Sequence, residues 1–320
     1  MNKTRCAVIG VGYLGRFHAQ KYQLLPNAEL IGVCDLNPKA VETVSQELNV
    51  AGYNDYYDLF DKVDAVSIAS TTNKHFEIAK AFLEHGIHVL IEKPITETVA
   101  QANELIQLAK KHQVKLQVGH LERFNSARLA LDEYLETPLF IESERLAPFK
   151  PRGADVNVIL DLMIHDIDII QNIVKSPIVS ILAQGTPILT TAIDIANARI
   201  TFANQCVANL TASRVSFKTE RKTRIFQKNS YLSIDYQSKK LAVFKKGTGE
   251  MFPGIPDIVR EETEYEQGDA LFEEIKSFIK CIQEDSTPFV TGEDGLQALK
   301  VAETITSLIH NNLIERHAKI

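Results

Sequence analysis

The chain of 320 residues is long enough for about two domains, and its 45% apolar and 24% charged composition excludes a disordered, collagen-like or disulfide-scaffold protein. A net charge of −6 and a pI near 5.9 argue against nucleic acid as the main partner. Cys6, Cys34, Cys206 and Cys281 form no C-x-x-C pair and read as reduced thiols of a cytoplasmic protein. The N-terminal apolar run is broken by glycines and followed by Arg16 and His18, unlike a signal peptide. The most apolar later stretch, Val156 to Leu182, carries Asp161, His165, Asp166 and Asp168, too many polar groups for a membrane span.

Strand and helix alternate over the first 120 residues. Strands are expected at Arg5–Gly10, Glu29–Asp35, Val63–Ala69, Ile87–Ile91 and Lys115–Gly119. Helices are expected at Tyr13–Leu25, Pro38–Leu48, Lys74–His85 and Glu97–His112. Near-continuous apolar strands separated by helices mean a doubly wound parallel α/β sheet covered on both faces. The pattern then changes. A helix at Asn125–Leu135, a strand at Phe140–Ala147 and a long helix at Val158–Val174 precede strand after strand from Ile178 to Phe244. This predicts a C-terminal α+β domain built on a large, mostly antiparallel open sheet. Residues 249–269 read as an exposed excursion, and helices at Ala270–Glu284 and Asp294–His310 close the chain, where they are positioned to pack back on the first domain. The division is therefore 1–121 and 122–320.

Gly10-Val11-Gly12-Tyr13-Leu14-Gly15 is a G-x-G-x-x-G that follows a strand and opens a helix, and Asp35 ends the next strand twenty residues after Gly15. The glycines permit a tight turn and a close approach of backbone to a pyrophosphate, which meets the positive end of the helix. Asp35 would accept from ribose hydroxyls and repel a 2′-phosphate, and Leu36-Asn37-Pro38 supplies no arginine, so NAD is favoured over NADP. Glu92-Lys93-Pro94 follows directly on a strand, at the carboxyl edge where doubly wound sheets bind ligands. Asp161, His165 and Asp168 fall at helical spacing on one face of an otherwise apolar helix. They read as a site lining or as a structural hydrogen-bonded cluster. No metal is expected, because no supporting Cys or His set accompanies them.

Together, GVGYLGRFH at 10–18, VCD at 33–35, STTNKHFEIA at 70–79, EKP at 92–94 and the D-x-x-x-H of 161–165 resemble the glucose–fructose oxidoreductase, inositol dehydrogenase and MocA (Gfo/Idh/MocA) family along essentially the whole chain. The resemblance implies a Rossmann domain followed by a domain whose open sheet forms dimer or tetramer contacts. It implies that Lys93, Asp161 and His165 surround the carbon that exchanges hydride. It also implies cofactor contacts at Ser70, Thr71, Asn73, His75, Glu92 and Lys93, beside Gly10, Gly12, Tyr13, Leu14, Gly15 and Asp35. His165 is the expected base, Asp161 orients its imidazole or hydrogen-bonds a substrate hydroxyl, and Lys93 holds the reacting oxygen, with the roles of Lys93 and His165 exchangeable.

The segments Gly119–Asn125 and Asp161–Asp168 resemble the branch containing UDP-N-acetylglucosamine 3-dehydrogenases, which act on the way to a diamino sugar of lipid A. An inositol or free-sugar dehydrogenase, or a non-catalytic NAD-binding regulator, are the alternatives. The retained Lys93, Asp161 and His165 favour an enzyme. Arg123, with Asn125, is the expected contact for a sugar or nucleotide-sugar substrate. Arg152, Arg214 and the basic run from Lys218 to Arg224 are further basic residues, the run reading as a solvated strand edge and loop. Many relatives carry glycines just before the aspartate, where this chain has Ala154-Asp155-Val156-Asn157. Neither nucleic acid nor membrane is an expected partner. A homodimer or homotetramer is, through an outward sheet face of Asn197, Arg199, Thr201, Asn209, Thr211 and Ser213.

Overall fold

The computed structural model describes residues 3–150, 156–265 and 268–317. The chain divides into two compact units, 1–121 with 269–299, and 122–268 with 300–320.

In the first unit, strands β1 (Thr4–Ile9), β2 (Ala28–Cys34), β3 (Ala51–Tyr53), β4 (Ala65–Ile68), β5 (His88–Glu92) and β6 (Leu116–Gly119) form one parallel sheet in the order β3-β2-β1-β4-β5-β6. The strand order reverses at β1, which pairs with both β2 and β4, so a crevice opens at the carboxyl ends of those strands. Helices α1 (Tyr13–Leu24), α2 (Pro38–Leu48), α3 (Thr72–Glu84) and α4 (Val99–His112) are the crossovers. Their ends follow local chemistry. The Asn37 side chain accepts from the Lys39 amide ahead of Pro38, and Thr98 and Gln101 form a reciprocal capping box on α4. The short strand β3 was not legible as a strand, because only Tyr53 of its three residues is even partly buried.

After α5 (Ser126–Leu131), β7 (Phe140–Leu146) and α6 (Ile164–Val174) come β8 (Ile178–Thr186), β9 (Ile195–Phe202), β10 (Val207–Ser213), β11 (Glu220–Phe226), β12 (Ser230–Asp235), β13 (Lys240–Phe252) and β14 (Ile255–Glu264). With β7 they form an eight-stranded sheet in the order β14-β13-β12-β11-β7-β10-β9-β8, antiparallel except where β7 meets β10. Alternation sorts its faces: Ala196, Ala198, Ile200 and Phe202 point inward, while Asn197 and Arg199 are exposed.

Three expectations change. Residues 249–264 are paired strand rather than an excursion, with Pro253-Gly254 as the hairpin turn and Gly254 at φ 78°; Glu266 lies outside the described residues. β11 is an interior strand, so the basic residues on it are not at an edge, and Arg224 lies 3.0 Å from Glu142 of the neighbouring strand. Ser213 is buried and does not belong to the outward face. That face is also less neutral than its sequence suggests, carrying Glu142, Glu144 and Arg224 and a row of rings from Phe140 through Phe226 and Tyr231 to Phe244, at centroid spacings of 6.0, 4.9 and 4.9 Å.

Helix α7 (Ala270–Gln283) returns to the first unit, placing Leu271, Ile275, Phe278 and Ile279 in one core with Tyr22 of α1 and Val8 of β1. Lys21 pairs with Asp269 at 2.6 Å, and Lys115 with Asp285 at 2.6 Å. The last helix, α8 (Gly292–His317), extends beyond both expected ends. Among the described residues, no helix is long and apolar enough to cross a membrane. The four cysteines are free and buried.

Candidate active site

The glycine loop joins β1 to α1. Gly10 has φ 85°, and a Cβ on it would lie 2.6 Å from the Ser70 amide nitrogen at the end of β4. A Cβ on Gly15 would lie 1.7 Å from the Gly10 carbonyl oxygen, so any side chain there would push the helix off the strand. A Cβ on Gly12 would meet nothing within 4 Å, which leaves the outer side of the turn open. α1 has no side-chain cap and no acid in its first turn, so its leading amides and positive dipole end remain available to an anion.

Asp35 follows β2 and is held from both sides. Its Oδ2 accepts from the Val11 amide at 2.8 Å and its Oδ1 from the Asn37 amide at 2.9 Å. The carboxylate therefore faces the glycine loop as part of its scaffold, and Leu36 beside it is exposed. The loop, the bare helix end and the acid together fit a dinucleotide: amides for the pyrophosphate and a carboxylate for the ribose.

Ser70, Thr71 and Asn73 lie at the turn from β4 into α3, where the Thr71 hydroxyl donates to Asn73 Oδ1 at 2.7 Å. His75 is buried one turn into that helix, with its ring nitrogens 2.9 Å from the Pro94 carbonyl and 3.1 Å from the Ser70 carbonyl. It stitches the turn after β4 to the turn after β5. Burial holds its pKa below the ordinary imidazole value, against the pull of the two carbonyls.

Glu92 ends β5 and Lys93 follows it, and the Lys93–Pro94 peptide is cis. Glu92 Oε1 is 3.0 Å from His18 Nε2 of α1, and Oε2 accepts from the backbone amide of Lys93 at 3.3 Å. Burial acts to raise the Glu92 carboxyl, but His18, Lys93 and His75 outweigh it and hold it below its ordinary value.

In the second unit, Asp161 lies in a π-helical segment (Ile159–Met163) that runs directly into α6. Asn157 Oδ1 starts this segment by accepting from the amides of Ile159 and Leu160 at 3.1 and 2.9 Å. The three do not share one environment: Asp161 and His165 are partly exposed, whereas Asp168 is buried.

Asp168 receives both arms of Arg123, at 2.7 and 2.8 Å, and the arginine is 4% exposed. The fork expected for a substrate diphosphate is thus engaged by Asp168. Asn125 is also structural, capping α5 through the Ala127 amide and donating to the Tyr236 carbonyl at 2.9 Å. Arg214 is buried and donates to the carbonyls of Val156 and Ile193. Arg152, Ala154 and Asp155 lie outside the described residues.

Sequence reasoning missed Arg145. It forks onto Asp166 at 2.8 and 3.0 Å and reaches Glu122 at 2.9 Å, and these two acids outweigh burial and raise its pKa. It also missed Glu274, buried on α7.

Residues 4–120 match the oxidoreductase family with an NAD-binding Rossmann fold, and residues 137–232 match the GFO/IDH/MocA C-terminal domain. A UDP-N-acetylglucosamine 3-dehydrogenase from Acidithiobacillus ferrooxidans is 39% identical over 303 residues, 94% of this chain and 96% of that protein. Its solved structure superposes with a TM-score of 0.91, covering 97% of this chain and 98% of the other. A myo-inositol 2-dehydrogenase from Thermotoga maritima is 26% identical over 92% of this chain and 93% of its own. With a nucleotide-binding loop, a Glu-Lys-Pro turn and a second unit matched by the same family, the chain belongs to the Gfo/Idh/MocA oxidoreductases and is an NAD-binding dehydrogenase acting on CH–OH groups.

Proposed function

We propose that the protein oxidises the 3-hydroxyl of UDP-N-acetylglucosamine with NAD. The reading rests on the 39% identity, spread over nearly the full length of both chains, to an enzyme of that name. Bound NAD supplies the hydride acceptor. His165 takes the hydroxyl proton, as suits an imidazole near neutral pH, and Asp161 orients it. Lys93 holds the reacting oxygen and stabilises its developing negative charge. Incubation with UDP-N-acetylglucosamine and NAD should produce NADH and a sugar nucleotide lighter by two hydrogens, oxidised at C3. NADH formed with myo-inositol but not with the nucleotide sugar would instead place the enzyme with the inositol dehydrogenases.

Preference for NAD over NADP is part of this reading and rests on the position of Asp35. Asp35→Ser with Leu36→Arg removes the repulsion and supplies a phosphate partner, and the ratio of kcat/KM values should move toward NADP. A wild type that already uses NADP as well as NAD would reject the role of Asp35.

Self-association through the outward sheet face is proposed as well. Thr211 is half-buried there and accepts from Asn197 Nδ2 at 2.9 Å. Thr211→Arg would place a long charged side chain, opposite Glu144 of the neighbouring strand, in a sheet-to-sheet contact and should weaken the assembly by crowding it, read by sedimentation. A fully active monomeric wild type removes the idea.

A further inference from the structure

Beneath the Glu92–Lys93 turn, within the first unit, lies a buried group that the hydride-transfer reading does not use. Glu274, on α7, is 0% exposed, and neither of its carboxyl oxygens has a hydrogen-bond partner. Polar atoms of His18, Glu92 and Glu274 lie within 4.8 Å of one another. Glu92 is the satisfied acid of the cluster, with His18 Nε2 on one oxygen and the Lys93 amide on the other. Gly119 of β6 makes room for it, since a Cβ there would come within 3.0 Å of Glu92 Cδ.

Two carboxylates this close, one of them without a single donor, cannot both stay ionised in a dry interior at ordinary cost. The other groups around Glu274 do not relieve it. His18 of α1 is paired with Glu92 through Nε2 and makes no hydrogen bond through Nδ1, Gln117 of β6 donates to the Glu274 backbone carbonyl rather than its carboxyl, Tyr22 of α1 is engaged with Ser67, and Lys93 and His75 act on Glu92.

We propose that Glu274 is a positioning residue: a buried carboxylic acid that keeps its proton across the neutral range and so leaves Glu92 as the single negative charge anchoring the Lys93 backbone. Burial first, and the Glu92 charge second, push its pKa well above the ordinary carboxyl value. A second negative charge at this spot would repel Glu92 and loosen the turn that presents Lys93. The catalytic part of the proposal rests on the dehydrogenase reading above; the protonation does not.

The sign of the linkage is fixed. The folded protein binds one more proton than the unfolded chain once the pH passes the ordinary carboxyl value, so stability falls as pH rises toward the folded pKa. In denaturant unfolding between pH 5 and 8, the folding constant of the wild type should therefore fall relative to Glu274→Gln by up to about tenfold per pH unit. The infrared spectrum of the wild type at neutral pH should show a protonated-carboxyl C=O band that Glu274→Gln lacks. Glu274→Met, similar in length and uncharged, gives the same comparison should the glutamine variant not fold. In turnover, the alkaline fall of kcat should move to higher pH in Glu274→Gln, a change that a packing role alone would not produce. Failure of turnover in every protein, with the band and the slope present, would reject the substrate reading and keep the buried acid. A parallel pH dependence of stability with no band lost would overturn the proposal. So would stabilisation of the wild type, but not of Glu274→Gln, by Zn²⁺ or Mn²⁺ alone, which would make the triad a cation site.

Discussion

Lys93→Met is expected to lower turnover on the order of a hundredfold or more while leaving NAD binding largely intact. The backbone of this residue is fixed independently of its side chain. Its amide is held by Glu92, and the carbonyl of the next residue, Pro94, is held by buried His75. Methionine keeps the length and the apolar stem, so the substitution removes the ammonium and little else. On the proposed mechanism, what is lost is a positive charge where a hydroxyl oxygen gains negative charge as hydride leaves, which acts on the transition state more than on binding. NADH titration by fluorescence reads the binding, and initial rates at saturating substrate read the turnover. His165→Asn should cost a similar factor and Asp161→Asn less, because in the proposed mechanism the first removes the proton acceptor and the second only its orientation. Near-normal kcat in Lys93→Met or His165→Asn would reject the role assigned to that residue.

Local chemistry made part of this site readable from sequence. The glycine loop and Asp35 announce themselves because each residue answers a short-range demand: a positive φ at Gly10, contact at Gly15, and an acid at the end of the next strand. The Glu92-Lys93-Pro94 turn is visible for the same reason, as a polar triplet directly after an apolar strand. Pairings across the fold were not readable. Arg123 and Asp168 are 45 residues apart in the chain, and Arg145 and Asp166 are 21 apart. Nothing local distinguishes an arginine that will meet a buried acid from one that will meet a phosphate.

Glu274 did leave a trace. It shares the apolar face of α7 with Leu271, Ile275 and Phe278 at helical spacing, where a carboxyl must be buried when that face packs. The hairpin of β13 and β14 left one too, in Pro253-Gly254, but the acidic residues along β14 masked it. As the last strand of the open sheet, β14 has a strand neighbour on one side only, so charge along it is compatible with a strand.

Arg123→Met is expected to destabilise the protein by about 3–5 kcal/mol. Arg123 and Asp168 have side chains 4% and 2% exposed, so removing the guanidinium strands a carboxylate with neither water nor a countercharge. The intact pair need not be worth that much by itself, because burying two ions consumes most of their mutual attraction. The double variant Arg123→Met with Asp168→Leu should therefore recover most of the loss, because it removes the carboxylate that the single variant leaves buried. The midpoint of denaturant unfolding reads each of these. Arg145→Met should follow the same rule, because it takes both arms from buried Asp166 and leaves Glu122 only the more distant Arg221, 3.7 Å away. The series also separates the two roles open to Arg123 from sequence. An arginine that binds a substrate diphosphate would, when replaced, raise KM for the nucleotide sugar and leave the unfolding midpoint unchanged. An arginine that neutralises Asp168 lowers the midpoint in the absence of any substrate, and its defect is repaired by removing the acid.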